Sequence, residues 1–349
     1  MKEMKRGLVA LLAAILIAIL AGVGITAFWS SSGSSPLRLG LAPYQDLAMI
    51  VNIKPLGLDK KYNTQVELVT MGWEEILPSV ATLGRGLDVG FASYVEYLTK
   101  YNNINAAGAD PLLFVFPVYV FKGGAFVTFR DDVPQLTAAN IRDKSIVSQF
   151  LNKKIGAQKS SLYDMMIFRL SRLNDIDLKS VQLIDTPMDQ GFLAAQQGSL
   201  DIASAGLTQL TETLRRGGRS VLTMDDLQFA DFTGFVVKKS VYEKRKKEVD
   251  DLIRMWFDCV DFVYSDIDKN SKDSLAYLNG AASTRYTLEE YKLALSQEYL
   301  PRTLSEAKQE FLSENGKFPY QTIGRTAVDY LLLQGTVRVA PPIGPFIDP

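Results

Sequence analysis

The chain has 349 residues, 38 of them basic and 39 acidic, and 47% are apolar. That is enough for two average domains with a sizeable core, and the near-zero net charge excludes the global basic field that drives nucleic-acid binding. There is no histidine, which removes the commonest general base and transition-metal ligand, and the single cysteine, Cys259, excludes an internal disulfide framework and a cysteine-rich metal site.

The chain starts basic (MKEMKR) and carries no charge from Gly7 to Trp29. That pattern predicts a signal peptide or signal-anchor over residues 1–29, with the length that spans a bilayer, about 20 residues. Cleavage after Ala27 and retention as an anchor both fit, and both export the rest of the chain, because the basic end stays inside. Residues 30–36 read as a Ser/Gly linker. Strands are predicted at 37–43, 65–71, 88–93 and 111–121, and helices at 46–57, 78–84 and 94–102. Pro78 is expected to open the second of these helices and Gly84 to close it. Alternation of strand and helix implies parallel βαβ units.

After Gly123–Gly124 the order repeats. The chain starts again with GGAFVTFR (123–130); strands are then predicted at 153–158, 180–186, 200–206 and 220–224, and helices at 161–174, 187–198 and 207–218. Ser161 and Asp164 form a Ser-x-x-Asp capping signature. The stretch GLDVGFAS (86–93) is echoed by GSLDIASAG (198–206), and each closes a similar strand–helix–strand phrase. After Phe229 the pattern changes: a strand at 233–242 precedes helices at 246–266, 271–280, 287–300 and 326–335. The economical reading is that the chain returns to its first domain, crossing between domains near 121–124 and near 226–234. This sets boundaries of 37–121 with 231–349 for one discontinuous lobe and 122–230 for the other.

Two related α/β domains joined by two crossings, behind an export signal, resemble the type II periplasmic solute-binding proteins. The phrases KKIGAQKSSLYDMMIFRLSRLNDIDLKSVQLIDTP (153–187), GSLDIASAG and YLLLQGTVRV…PFIDP resemble the branch serving ATP-binding-cassette importers of nitrate, sulfonates, taurine and thiamine-precursor pyrimidines. The resemblance implies two doubly wound α/β lobes and binding of a small anionic or zwitterionic solute, such as a sulfonate or taurine, between them by hinge closure. It also implies a permease and an ATPase as partners, and a periplasmic place or one on the outer face of the membrane. It implies no enzyme activity, cofactor or metal. The chain departs from the pattern in having no Arg or His at an obvious ligand position and no lipobox cysteine.

In open α/β sheets ligands sit beyond the carboxyl ends of the strands. That rule selects Tyr44, Gln45, Asp46, Trp73, Ser93 and Tyr94 in the first domain, and Ser160, Ser161, Asp189, Gln190 and Gly206 in the second. Helices begin at most of these points, and helix N-termini attract anions. Ser160 and Ser161 could hold a sulfonate or carboxylate, or Ser161 could only cap its helix. Trp73 and Tyr44 could stack on a ligand or only pack. Asp46 could pair with an ammonium group or serve as an N-cap. Asp88 and Asp201, at the amino ends of their strands, read as structural. The basic run 238–247 is either a docking patch or a solvated helix start. Two other functions stay open: a membrane-anchored sensor or scaffold, and an enzyme on the same fold. Relatives of the latter kind need a histidine with a cofactor-bearing lysine, or a cysteine-linked cofactor.

Overall fold

The computed structural model describes residues 35–82, 86–105, 110–281, 284–344, 346 and 349. The expected export segment, residues 1–29, lies outside them. Among the described residues no helix is long and apolar enough to cross a membrane. The strands are β1 (Leu37–Leu41), β2 (Val66–Thr70), β3 (Val89–Ser93), β4 (Leu112–Phe121), β5 (Ala125–Thr128), β6 (Ile155–Ala157), β7 (Leu183–Asp185), β8 (Ile202–Ala205), β9 (Arg219–Thr223) and β10 (Asp231–Lys238). Helices of eight or more residues are α1 (Trp73–Ala81), α2 (Tyr94–Ile104), α3 (Lys144–Leu151), α4 (Leu162–Leu173), α5 (Met188–Gln196), α6 (Leu207–Arg215), α7 (Lys239–Ser265), α8 (Lys272–Ala281), α9 (Leu288–Ser296) and α10 (Tyr320–Leu333).

The strands form two five-stranded sheets of matching plan, β2-β1-β3-β10-β4 and β7-β6-β8-β5-β9. In each, the first three strands are parallel and the fourth runs antiparallel to both neighbours. The antiparallel strand is the one that arrives from the other sheet: β5 directly follows β4, and β10 follows β9. The two crossings touch, since Met224 N donates to Gly124 O at 3.0 Å and Lys122 pairs with Asp225 at 2.6 Å. Leu37–Pro349 make one compact unit. A continuous apolar core links the first sheet, α7 and α4, while Val127, Phe192, Leu200, Ala203 and Leu210 make a smaller core against the second sheet.

The repeated phrase has one structural job. Arg38 N donates to Asp88 Oδ2 at 2.9 Å, and Asp88 N donates to Arg38 O at 3.0 Å. In the second sheet Lys154 N donates to Asp201 Oδ2 at 2.8 Å, and Asp201 N donates to Lys154 O at 3.0 Å. Each aspartate ties the start of one central parallel strand to the start of the next.

Several element boundaries differ from the sequence reading. The helix expected at 46–57 is a 3-10 turn over Ala48–Ile53 and a separate turn at Leu58–Lys61. Pro55 has no N–H to extend the ladder, and Gly57 adopts a left-handed φ of 62° between the two. Helix α1 starts at Trp73 rather than Pro78, because Glu75 Oε2 accepts from Gly72 N at 3.2 Å and closes the first turn, with Glu74 and Glu75 favouring its positive end. Strand β10 stops at Lys238, and the basic run 239–247 is helical. Lys239 N donates to Pro111 O at 2.7 Å and Ser240 Oγ to Asp110, so the chain turns straight into α7. Non-helical geometry at Arg245 kinks that helix. Within the run, Arg245, Lys246 and Lys247 pair with Glu248, Asp250 and Asp251, which makes it an ion-paired helix start.

Candidate functional site

A cleft of about 920 Å³ of atom-free space, partly open to solvent, lies between the two sheets. Its walls come from the carboxyl ends of β1, β3, β4 and β8 and from the first turns of α1, α2, α4, α5 and α6. Of the residues the sequence pointed to, the structure brings Tyr44, Asp46, Trp73, Ser93, Ser160, Ser161 and Gly206 together on this cleft. Four others do not line it. Gln45 is fully buried and its Oε1 accepts from Thr208 Oγ1 at 3.0 Å. Tyr94 turns into an aromatic cluster with Tyr97, Phe114, Phe232 and Phe346. Asp189 accepts from Gln209 Nε2 at 2.7 Å, and both Asp189 and Gln190 are exposed.

The sequence reading missed much of the opposite wall: Tyr119, Phe121, Asp231 and Thr233, together with Glu74, Glu96, Lys100, Gln158, Lys159, Tyr163, Ser204 and Gln209. Asp231 and Thr233 have a specific reason. They stand at the amino end of β10, which pairs antiparallel with β3 so that Thr233 lies opposite Ser93. An antiparallel strand presents its amino end where its parallel neighbours present their carboxyl ends. The buried aspartate starting the strand after the second crossing was the available signal.

Asp46 is 3% exposed, and its Oδ2 accepts from Tyr119 Oη at 2.5 Å. Among the described residues its Oδ1 has no hydrogen-bond partner. Burial pushes this carboxyl up to about 6, against the lowering effect of the Tyr119 hydroxyl and nearby backbone N–H groups. Asp231 is equally buried; Oδ1 accepts from Phe232 N at 2.8 Å and Val95 N at 3.1 Å, and Oδ2 from Ser93 Oγ. Burial raises it to about 7 in spite of those donors. Glu298 accepts from Lys122 N at 2.8 Å and Gly123 N at 3.0 Å, at the first crossing. Burial and then the Asp46 charge hold it well above the usual carboxylate range. Trp73 stands half-exposed with its ring 6.0 Å from Tyr44, and its Nε1–H donates to Glu96 Oε2 at 3.1 Å.

The helix starts around the cleft are already supplied with acceptors by the chain itself. At α4, Ser161 Oγ accepts from Tyr163 N at 3.2 Å and donates to Gln158 O at 2.6 Å, and Asp164 Oδ2 accepts from Ser160 N at 2.9 Å. At α2, Ser93 Oγ accepts from Glu96 N at 3.0 Å and Asp231 takes Val95 N. At α1 and α6, Glu75 and Gln209 fold back on Gly72 N and Gly206 N. These turns hold the chain's own acceptors, carboxylates among them, where the sequence reading expected an anionic ligand.

Side chains also reach across from one sheet's helices to the other's. Arg215 on α6 meets Glu290 on α9 in a two-point pair, Nε–Oε1 at 2.7 Å and Nη2–Oε2 at 2.6 Å. Tyr330 on α10 donates to Asp164 Oδ2 at 2.7 Å. Cys259 is fully buried in α7, and burial pushes its thiol far up. Among the described residues no cluster of three metal-ligating side chains occurs.

Two α/β sheets of this plan with a cleft between them are the periplasmic binding protein fold, and comparison with solved structures agrees. The periplasmic aliphatic sulphonate binding protein of Escherichia coli superposes with a TM-score of 0.61 at 16% identity, over 88% of this chain and 90% of that one. The alkanesulfonate-binding protein of Xanthomonas axonopodis pv. citri, bound to MOPS, gives 0.62 at 16%, over 88% and 95%. The periplasmic nitrate-binding protein of Synechocystis PCC 6803 gives 0.62 at 14%, over 87% and 83%. Residues 30–279 match the model of the NMT1-like family, and the chain belongs to that family. A search of curated proteins gave no significant match.

Proposed function

We propose that the protein is the exported solute-binding component of an ATP-binding-cassette importer, held in the periplasm or on the outer face of the membrane by its N-terminal segment. Residues 37–121 with 231–349 act as one lobe and 122–230 as the other. A small-molecule solute enters the cleft, the lobes close by hinge motion at the two crossings, and the loaded protein docks on its permease and ATPase. The protein binds and delivers its solute without chemistry on it. The observation that carries this reading is a cleft between two matched sheets joined by two touching strands, in a chain of the NMT1-like family.

The test is thermal unfolding of the full chain in mild detergent against a solute panel, with native mass spectrometry for a co-purified small molecule. A ligand at 100 times its Kd adds about 2.7 kcal/mol. Absence of any shift across anionic, zwitterionic, neutral and cationic solutes would count against binding.

Closure has its own test at Arg215 and Glu290. The guanidinium, its largest influence, holds the Glu290 carboxyl down to about 2. The pair is partly exposed, so solvent screens it. Contacts that form only between closed lobes stabilise only the bound state. Glu290→Ala is therefore expected to weaken solute binding by about two- to ten-fold, mainly through faster dissociation. Equal dissociation rates in variant and parent by stopped-flow would remove the pair from the closing mechanism.

A further inference from the structure

This inference rests on the solute-binding reading and concerns which solute the cleft takes. We propose that the cleft selects a small organic cation: an apolar, preferably flat body bearing a protonated amine or amidine whose N–H is received by Asp46.

Four observations on the cleft carry it. Asp46 lines the site, is 3% exposed, and among the described residues keeps Oδ1 without a hydrogen-bond partner while Tyr119 occupies Oδ2. An unpaired buried carboxylate oxygen is costly, and a ligand N–H would satisfy it. Among the described residues the walls hold four carboxylates, Asp46, Glu74, Glu96 and Asp231, against two lysines and no arginine. One of those lysines, Lys100, is paired with Glu96. The N–H groups that a sulfonate or nitrate would seek at Ser160, Tyr163, Val95, Gly72 and Gly206 are bound to acceptors of the chain itself. Finally, Tyr44, Trp73, Tyr119, Phe121 and Tyr163 offer aromatic surface, whose ring faces attract a cation and cover an apolar body.

The experiment uses the full chain in mild detergent with probes of matched shape: benzylammonium, benzamidinium and tyramine as cations, benzoate and benzenesulfonate as anions, taurine as zwitterion and benzyl alcohol as the neutral control. Thermal shift and calorimetric titration are read at pH 8 and pH 5. At least one cation is expected to raise the melting temperature and bind more than ten-fold tighter than the anion of the same skeleton. Asp46→Asn should remove about ten-fold or more of that affinity. Should that variant fold poorly, the parent's pH dependence decides: cation affinity should fall about ten-fold from pH 8 to pH 5 as Asp46 takes up its proton. Asp231 changes in the same direction across this range. The other groups facing Asp46 are Tyr44, Tyr119, Tyr163, Tyr291 and Glu298; the tyrosines stay protonated there, and burial, followed by the Asp46 charge, raises the Glu298 carboxyl. Binding of benzenesulfonate, benzoate or taurine in place of the cations overturns this proposal and leaves the solute-binding reading standing. Binding of no probe at millimolar concentration, by a cooperatively melting chain, overturns the cation proposal. If no small molecule co-purifies either, the solute-binding reading falls with it.

Discussion

Trp256→Ala is expected to lower the unfolding free energy by about 3–5 kcal/mol, seen as a drop in the urea midpoint by circular dichroism at unchanged slope. Trp256 is fully buried in α7. Its ring meets Phe91 of β3 edge-on at 5.4 Å and stacks on Tyr119 of β4 at 6.0 Å. Truncation thus opens a cavity between the longest helix and the two strands that flank β10. Among the described residues its Nε1 has no hydrogen-bond partner, so Trp256→Phe removes that orphan donor with the bulk largely kept and should cost far less. The same ring positions function. Tyr119 is the residue that donates to Asp46, so a collapsed Trp256 cavity should weaken solute binding even where the variant still folds. A loss of 1 kcal/mol or less for Trp256→Ala would mean the site repacks and that Tyr119 is held by other contacts.

What the residues alone revealed depends on how local the cause was. Ser161 caps α4, Pro187 precedes α5 and Gly198 takes a left-handed φ of 78°, because each choice is made by a few neighbouring atoms. The repeated Leu-Asp phrase was legible as a structural echo for the same reason: Asp88 and Asp201 serve backbone groups at equivalent strand starts. Pro78 misled because proline is compatible with a helix start but does not force one, and the Gly72–Glu75 bond set the start five residues earlier. In the site, the carboxyl-end rule found the parallel strands' contribution and passed over β10, whose direction only the sheet pairing decides. Charge was the least legible property. Helix starts read as anion sites from spacing, but whether their N–H groups are available depends on side chains such as Asp231, which reaches Val95 from 136 positions away.

Raising the pH from 5 to 8 is expected to destabilise the unliganded protein by about 2–4 kcal/mol, and Asp231→Asn to flatten that slope by about one proton. Asp231 and Asp46 are raised from 3.8 to about 7 and about 6, in each case by burial first, and Glu298 is raised as well. Between the unfolded and folded values the native state binds more protons than the unfolded chain, so stability is full below about 4 and is lost as pH rises through 6 and 7. Asp59, Asp132 and Glu290 are lowered by Lys54, Arg130 and Arg215 respectively, and their contribution is lost on acidification below the usual carboxylate range. They leave the window from 5 to 8 to the buried acids. Asparagine at 231 keeps the oxygen that Val95 N and Phe232 N both reach, so the variant should fold and report the missing proton. Thermal or urea unfolding at four pH values measures the slope; a parent whose stability is flat or rises from pH 5 to 8 would show that these carboxyls ionise freely in the folded state. A bound cation reverses the sign at Asp46, because it favours the ionised carboxylate that burial disfavours. The stabilisation a cationic solute confers should therefore grow with pH over the range in which the empty protein weakens, whereas an anion would stabilise most at pH 5.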